Sequence, residues 1–316
     1  MDLNIHDALR LDQYPDVALE DIHDYTTWPY RLICGADLEQ KFRTRKKVLS
    51  EYNETKWASI LGLVREEDSR KYSTVTEFLD ATNKKIWSSL DLGMNTLISY
   101  DDTKIKDVLS MENRERCQVE FKYLVLTKFL AGHDSIVEIG SGYGKVLCYL
   151  LDRFPEITFA ACGDLSKNGV ETTKILADRF HLNIKCFVHD HYEPNVGLMA
   201  CCRDAIVFTS QTLEQTPETP CALIEALIDA APAYVVHFEP IQEQSAKRDD
   251  LLNNLRVKYS EVCDYNKDLE RVLLNYVKED RIDIVLNMRN IFGTNIFNPM
   301  SVIVWRPKRV IVKSSV

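Results

Sequence analysis

Nowhere in its 316 residues does the chain hold the run of about 20 apolar residues that a helix needs to cross a bilayer. Its opening stretch, MDLNIHDALRLDQYPD, carries neither the basic nor the apolar region of a secretory leader, so a cytoplasmic protein without membrane insertion is expected. A basic tract is missing as well. Lys and Arg total 39 against 48 Asp and Glu, a formal charge of −9, so the chain lacks the electrostatic footprint that phosphate backbones require and no nucleic-acid partner is expected. No CxxC pair occurs among the nine cysteines, an odd number set mostly in apolar runs. This argues against a disulfide framework or a structural zinc site and for reduced, buried thiols. The adjacent Cys201 and Cys202 have no redox motif around them. Repeats and low-complexity segments are absent too. With 45% apolar and 28% charged residues the composition is that of a globular protein, and the length predicts about two compact units.

Glycine is scarce, yet five of the eleven, Gly132, Gly140, Gly142, Gly144 and Gly163, fall within one short stretch. Glycine gathers where backbone turns tightly or approaches a ligand. Ahead of that stretch the chain reads as helical pieces with apolar residues at helical spacing: KFRTRKKVLSEYNETKWASILGLV, TVTEFLDATNKKIWSSLDLGMNTLI and RERCQVEFKYLVLTKFLAG. This front half shows no convincing strand. Its short basic run of Arg43, Arg45, Lys46 and Lys47 reads as a solvated helix face.

From Asp134 the pattern changes to β-rich runs separated by helix-length segments: DSIVEI, ITFAACG, NIKCFV, DAIVFTS and AYVVHFE. Strands alternating with helices predict an α/β fold with a parallel sheet covered on both faces. After Glu239 comes a long polar helical region, then RIDIVLNMR and MSVIVWRP, which predict an antiparallel closing hairpin.

The segment Glu138-Ile139-Gly140-Ser141-Gly142-Tyr143-Gly144-Lys145 ends the first of these strands and opens a helix. Strand, glycine turn and helix form the architecture of a nucleotide site, where backbone approaches the ligand and the helix offers unpaired N–H groups. A dinucleotide fingerprint would need glycine at position 145, and the P-loop pattern is absent.

An acid two residues before GxGxG resembles motif I of the class I S-adenosylmethionine-dependent methyltransferases. The resemblance covers about residues 118–316 and implies a Rossmann-like, seven-stranded, mostly parallel sheet with S-adenosylmethionine as cofactor and S-adenosylhomocysteine as product. It implies a cofactor site of Glu138, Gly140, Ser141, Gly142, Gly144, Asp164, Leu165, His189, Asp190, Ser210 and Gln211. Asp164, at the end of the second strand, would accept the ribose hydroxyls and Asp190 the adenine amine; each acid has a plainer reading, Asp164 as a helix cap and Asp190 as a solvated loop acid. Residues 1–117 would form a helical cap over the active site and 118–316 the methyltransferase core.

Methyl transfer asks the protein to hold donor and acceptor together, with a base if the nucleophile is a hydroxyl. Candidate catalytic residues stand at the strand ends: Glu214, His237 and Glu239, with His189 or His191 as further candidate bases. Strand alternation puts His237 and Glu239 on one side, as a base with its orienting acid or as a core histidine with a strand-end cap. His189 and His191, at i and i+2 without a third ligand, read as loop residues rather than a metal site. The loop GTNIFNP either closes over substrate or is a plain turn. The expected function is methyl transfer to a hydroxyl of a small polar, sugar-like acceptor, similar to bacterial sugar and small-molecule methyltransferases. The alternatives are an amine acceptor, with Glu214, Glu239 and Glu243 holding a cation; a non-catalytic partner protein of the same fold; and a nicotinamide-dependent dehydrogenase, opposed by the missing glycine. A homo-oligomer is compatible with all of them.

Overall fold

The computed structural model describes residues 4–35, 38–89 and 95–308. Nine strands form one sheet: β1 (Leu97–Tyr100), β2 (Lys104–Asp107), β3 (Ser135–Ile139), β4 (Phe159–Asp164), β5 (Ile184–Val188), β6 (Ile206–Ser210), β7 (Tyr234–Glu239), β8 (Ile282–Gly293) and β9 (Met300–Pro307). Their order is β2-β1-β8-β9-β7-β6-β3-β4-β5. The pairs β5–β4, β4–β3, β3–β6 and β6–β7 are parallel, and β9 enters antiparallel between β7 and β8. Strands β3 to β9 are the seven read from the sequence. The order reverses at β3, where neighbouring crossovers run to opposite sides and leave a crevice at the strand ends.

Alternation along the strands supplies two cores. On one face Ile136, Phe208, Val236, Phe238 and Val302 pack with Phe121 and Leu126 of helix Met111–Leu130. On the other, Val137, Val207, Val235, Ile303 and Trp305 pack with Leu223 and Leu227 of helix Cys221–Ala230 and Leu273 of helix Leu269–Lys278. A sheet buried on both faces explains why β3, β6 and β7 read as near-continuous apolar runs.

The front half departs from expectation. Its second helical piece is helix Val75–Ser89; residues 90–94 lie outside the described residues, and Leu97–Asp107 form a hairpin in place of helix or coil. Ser99 and Tyr100 pair with Gly293 and Phe292 of β8, so this hairpin extends the core sheet. The expected division at 117/118 falls inside helix Met111–Leu130, which Ser110 caps by accepting from Asn113 N–H at 3.1 Å. The loop after β8 is packed: Ile296 and Phe297 are buried with Tyr259 and Leu252, and Asn295 donates to the Tyr259 hydroxyl at 3.1 Å.

Candidate active site

The strand ends of β3, β4, β5 and β6 open on one cavity of about 440 Å³, a size typical of small-molecule sites. Ten of the eleven expected cofactor residues line it: Glu138, Gly140, Ser141, Gly142, Asp164, Leu165, His189, Asp190, Ser210 and Gln211. Gly144 does not. It sits behind the loop with φ 74°, where a Cβ would lie 2.5 Å from Thr173 Cγ2, so glycine is required there to start helix Lys145–Arg153 against its neighbour. At Gly142, with φ 57°, the space a Cβ would need is taken by the Trp57 ring, whose Cζ2 would lie 2.9 Å away.

Asp164 closes the loop onto β4. One carboxylate oxygen accepts Gly142 N–H at 2.7 Å and the other Ser166 N–H at 2.8 Å. The capping of helix Lys167–Phe180 falls to Ser166, whose hydroxyl accepts from Gly169 N–H at 3.0 Å. A carboxylate has about four acceptor sites, so about two on Asp164 remain for hydroxyl donors. Burial pushes its pKa up to about 6. Asp190 is less free than expected: Arg45 Nε lies 2.8 Å from one oxygen, and Tyr192 N–H donates to the other at 3.0 Å.

The front half forms the opposite wall. A π-helical turn, Ser50–Lys56, runs into helix Trp57–Glu66 and brings Tyr52, Asn53 and Trp57 to the cavity. The Asn53 amide oxygen accepts from Ser166 Oγ at 2.9 Å and Asn168 N–H at 3.1 Å, fastening this turn to the start of the helix after β4. Arg43 and Arg45 overturn the solvated-face reading of the basic run: Arg43 is buried, donating to Cys263 O at 3.1 Å and Glu51 at 2.7 Å, and both line the cavity.

Of the three expected catalytic residues only Glu214 reaches the cavity. Its carboxylate accepts from Asn298 Nδ2 and Gln215 Nε2, each at 2.8 Å, and burial raises its pKa to about 7. His237 is corrected to a core residue. Its Nε2 accepts the Trp305 indole N–H at 2.9 Å, which leaves Nδ1 as the donor to Thr209 Oγ1, also at 2.9 Å. Desolvation lowers its pKa to about 3. Glu239 is corrected too. Alternation does set it on the His237 side, but its carboxylate accepts Thr212 N–H at 3.1 Å and Glu214 N–H at 3.3 Å, and so caps the turn that carries Glu214. Burial and the nearby Glu214 charge hold its pKa up at about 8.

Several buried polar atoms of the cavity wall have no partner among the described residues: His189 Nε2, His191 Nδ1 and Gln215 Oε1. Burial keeps His189 and His191 neutral, with pKa values lowered to about 3 and about 4. Unsatisfied buried groups are costly, and their convergence here marks a seat for a polar ligand. Sequence reading missed Arg43, Arg45, Tyr52, Asn53, Trp57, Gln118 and Lys122. The first five belong to the front half, Gln118 and Lys122 to helix Met111–Leu130 ahead of the glycine loop, and only the clustered basic residues at 43–47 signal any of them in the sequence.

No family model and no curated protein matches the chain. Among solved structures it is similar to geranyl diphosphate C-methyltransferase from Streptomyces coelicolor A3(2), at 12% identity over 65% of this chain and 86% of that one, with a TM-score of 0.40. It is also similar to magnesium protoporphyrin IX methyltransferase from Synechocystis PCC 6803, at 12% identity over 63% and 85% with a TM-score of 0.42. A plantazolicin methyltransferase gives 14% identity over 61% and 91% with a TM-score of 0.38. Likeness at this level assigns no residue and no substrate. The strand order β5-β4-β3-β6-β7-β9-β8, with β9 antiparallel and the glycine loop after β3, is that of a Rossmann-like, mostly parallel α/β sheet closed by an antiparallel hairpin.

Proposed function

We propose that the protein transfers a methyl group from S-adenosylmethionine to a hydroxyl of a small polar, sugar-like acceptor. The observation that carries this reading is the single cavity shared by the glycine loop, Asp164, the His189–Asp190 segment and Glu214. The residues suit the cofactor. Asp164 keeps acceptor capacity for a diol, and His189 Nε2 is an unpaired buried atom of the same wall. When bound, S-adenosylmethionine supplies an electrophilic methyl on a sulfonium.

The chain's own part is positioning and proton transfer. Tyr52, Asn53 and Trp57 wall the cavity from the front half. Glu214, titrating near 7 and held in place by Asn298 and Gln215, takes the acceptor hydroxyl proton; a base titrating near the working pH is the effective choice. An amine acceptor is disfavoured because the three carboxylates that would hold a cation are not assembled. Glu239 caps the Thr212–Glu214 turn, and Glu243 is engaged by Glu270 and Arg271 N–H at 2.9 Å each.

Calorimetric titration with S-adenosylmethionine, S-adenosylhomocysteine and NAD tests the reading. Binding of both adenosyl ligands without NAD is expected and leads to a screen of hydroxylated acceptors with Glu214→Gln as control. A folded protein that binds neither adenosyl ligand overturns it.

A further inference from the structure

The cavity absorbs only part of the basic run at 41–47. Arg45 pairs with Asp190, and Arg43 is bound to Cys263 O and Glu51. Lys41 and Lys47 turn elsewhere. With Phe42, Arg43 and Glu51 they line a second recess, of about 360 Å³, between the strap 40–43 and the π-helical turn. The strap is fixed in place. Gln40 Nε2 donates to Glu261 O at 2.7 Å, Lys41 N–H to Val262 O at 2.9 Å and Arg43 N–H to the Asp264 carboxylate at 2.9 Å, which docks it on the end of helix Leu251–Cys263.

Charge in the recess is unbalanced. Neither Lys41 nor Lys47 has a hydrogen bond or an ion pair at its ammonium among the described residues, and Lys47 Nζ only stands 5.6 Å from the centre of the Phe42 ring. Glu51, the one acid among the described lining residues, is shared by Arg43 at 2.7 Å and Lys56 at 2.8 Å. Lys41, Arg43 and Lys47 therefore face a single carboxylate that a fourth cation already occupies, in a chain whose formal charge is −9. A phosphate monoester carries close to two negative charges at pH 7, and lysine ammoniums bind such a group as point charges.

The position of the recess says which molecule brings the phosphate. Arg43 lines both spaces, and Arg43 and Lys56 act electrostatically on Glu214, so the recess adjoins the cavity on its Glu214 side. We infer that the recess seats a phosphate group carried by the methyl acceptor, held by Lys41 and Lys47 while the acceptor hydroxyl lies at Glu214. The inference rests on the proposed function and narrows its acceptor to a phosphorylated polyol. The acceptor oxygen gains the methyl as the sulfonium–carbon bond breaks and a thioether is left, the hydroxyl proton passes to Glu214, and the phosphate ester stays intact.

The test has two arms. In the first, inorganic phosphate is titrated calorimetrically, at physiological salt, into wild type and the double variant Lys41→Met/Lys47→Met. Both side chains are exposed, so the variant keeps its core. Wild type is expected to bind phosphate and the variant to bind it at least about 10-fold more weakly, the scale of one charge-assisted hydrogen bond. In the second arm, S-adenosylhomocysteine release is followed with matched pairs: glycerol and glycerol 3-phosphate, glucose and glucose 6-phosphate, myo-inositol and its monophosphate. A phosphate ester is expected to exceed its parent alcohol by about 10-fold or more in kcat/KM, with inorganic phosphate competing and the double variant losing the preference. Phosphate binding that is absent, or indifferent to both lysines, overturns the inference. So does lysine-dependent phosphate binding with no ester preferred, which is an adventitious ion only. Both results leave the cofactor reading standing. Wild type that binds phosphate through the lysines but does not bind S-adenosylhomocysteine overturns the proposed function, and with it the acceptor role of the recess.

Discussion

Trp305 donates its indole N–H to His237 Nε2 across the β7–β9 pair at 2.9 Å, and this contact decides what His237 is. With Nε2 accepting and Nδ1 donating to Thr209, the ring has no lone pair left for a substrate proton. His237→Ala is expected to lower unfolding free energy by about 1–3 kcal/mol, because it strands the indole N–H in the core. Denaturant titration reads that loss. S-adenosylhomocysteine affinity and, once an acceptor is known, kcat should stay near wild type; a variant that is stable but inactive returns His237 to the chemistry.

Asp164 joins the glycine loop to the helix after β4, and in the proposed cofactor mode its remaining acceptor sites take the ribose hydroxyls. Asp164→Ala should weaken S-adenosylhomocysteine binding by about 1.5–3 kcal/mol, the scale of charge-assisted hydrogen bonds. A dissociation constant unchanged in calorimetry would remove the ribose assignment.

The Arg45–Asp190 pair lies on the cavity wall and links the front segment to the loop after β5. Arg45 is 55% exposed along its side chain, so the pair contributes under about 1 kcal/mol to stability. Its effect should fall on exchange. Arg45→Ala is expected to speed S-adenosylhomocysteine dissociation in stopped-flow measurements with little change in thermal midpoint, and high salt should mimic it in wild type.

The buried ionisable groups set a pH signature. Glu214 and Glu239 titrate near 7 and 8 in the fold but at about 4.3 in the unfolded chain, so the folded state holds extra protons between those values and loses stability as pH rises through them. His189, His191 and His237 act oppositely. Lowered to about 3 or 4 from an unfolded value of about 6.5, they add stability as pH rises, and that gain is complete above about 6.5. Ligand-free stability should therefore fall between pH 7 and 8. Urea midpoints across pH 5 to 9 check this, and Glu239→Gln should flatten the decline. Turnover should move the other way through pH 7, as Glu214 becomes a base.

The seven core strands were legible because a sheet buried on both faces writes itself as short β-branched runs, and the glycine loop because backbone curvature there tolerates only glycine. That Asp164 and Glu214 line the cavity was legible from their place at strand ends. The role of His237 was not, since its fate depends on Trp305, 68 residues downstream and paired to it through strand register. The front wall escaped for a related reason. Tyr52 and Asn53 enter the cavity through a π-helical turn that breaks the 3.6-residue period, so no face-counting places them. The β1–β2 hairpin is only four residues a strand, too short for alternation to mark it, and β1 joins the core sheet through two pairs with β8.

That hairpin has a bearing on how the protein is made. Ser99 pairs with Gly293, so β1 must wait through most of translation for the strand that completes it. Until β8 leaves the ribosome, the front of the chain can condense as helices but cannot settle its edge strands. Pairing over so long a sequence distance is slow, and a nascent chain holding unpaired strands is prone to association, so this protein should depend on chaperones late in its synthesis rather than early.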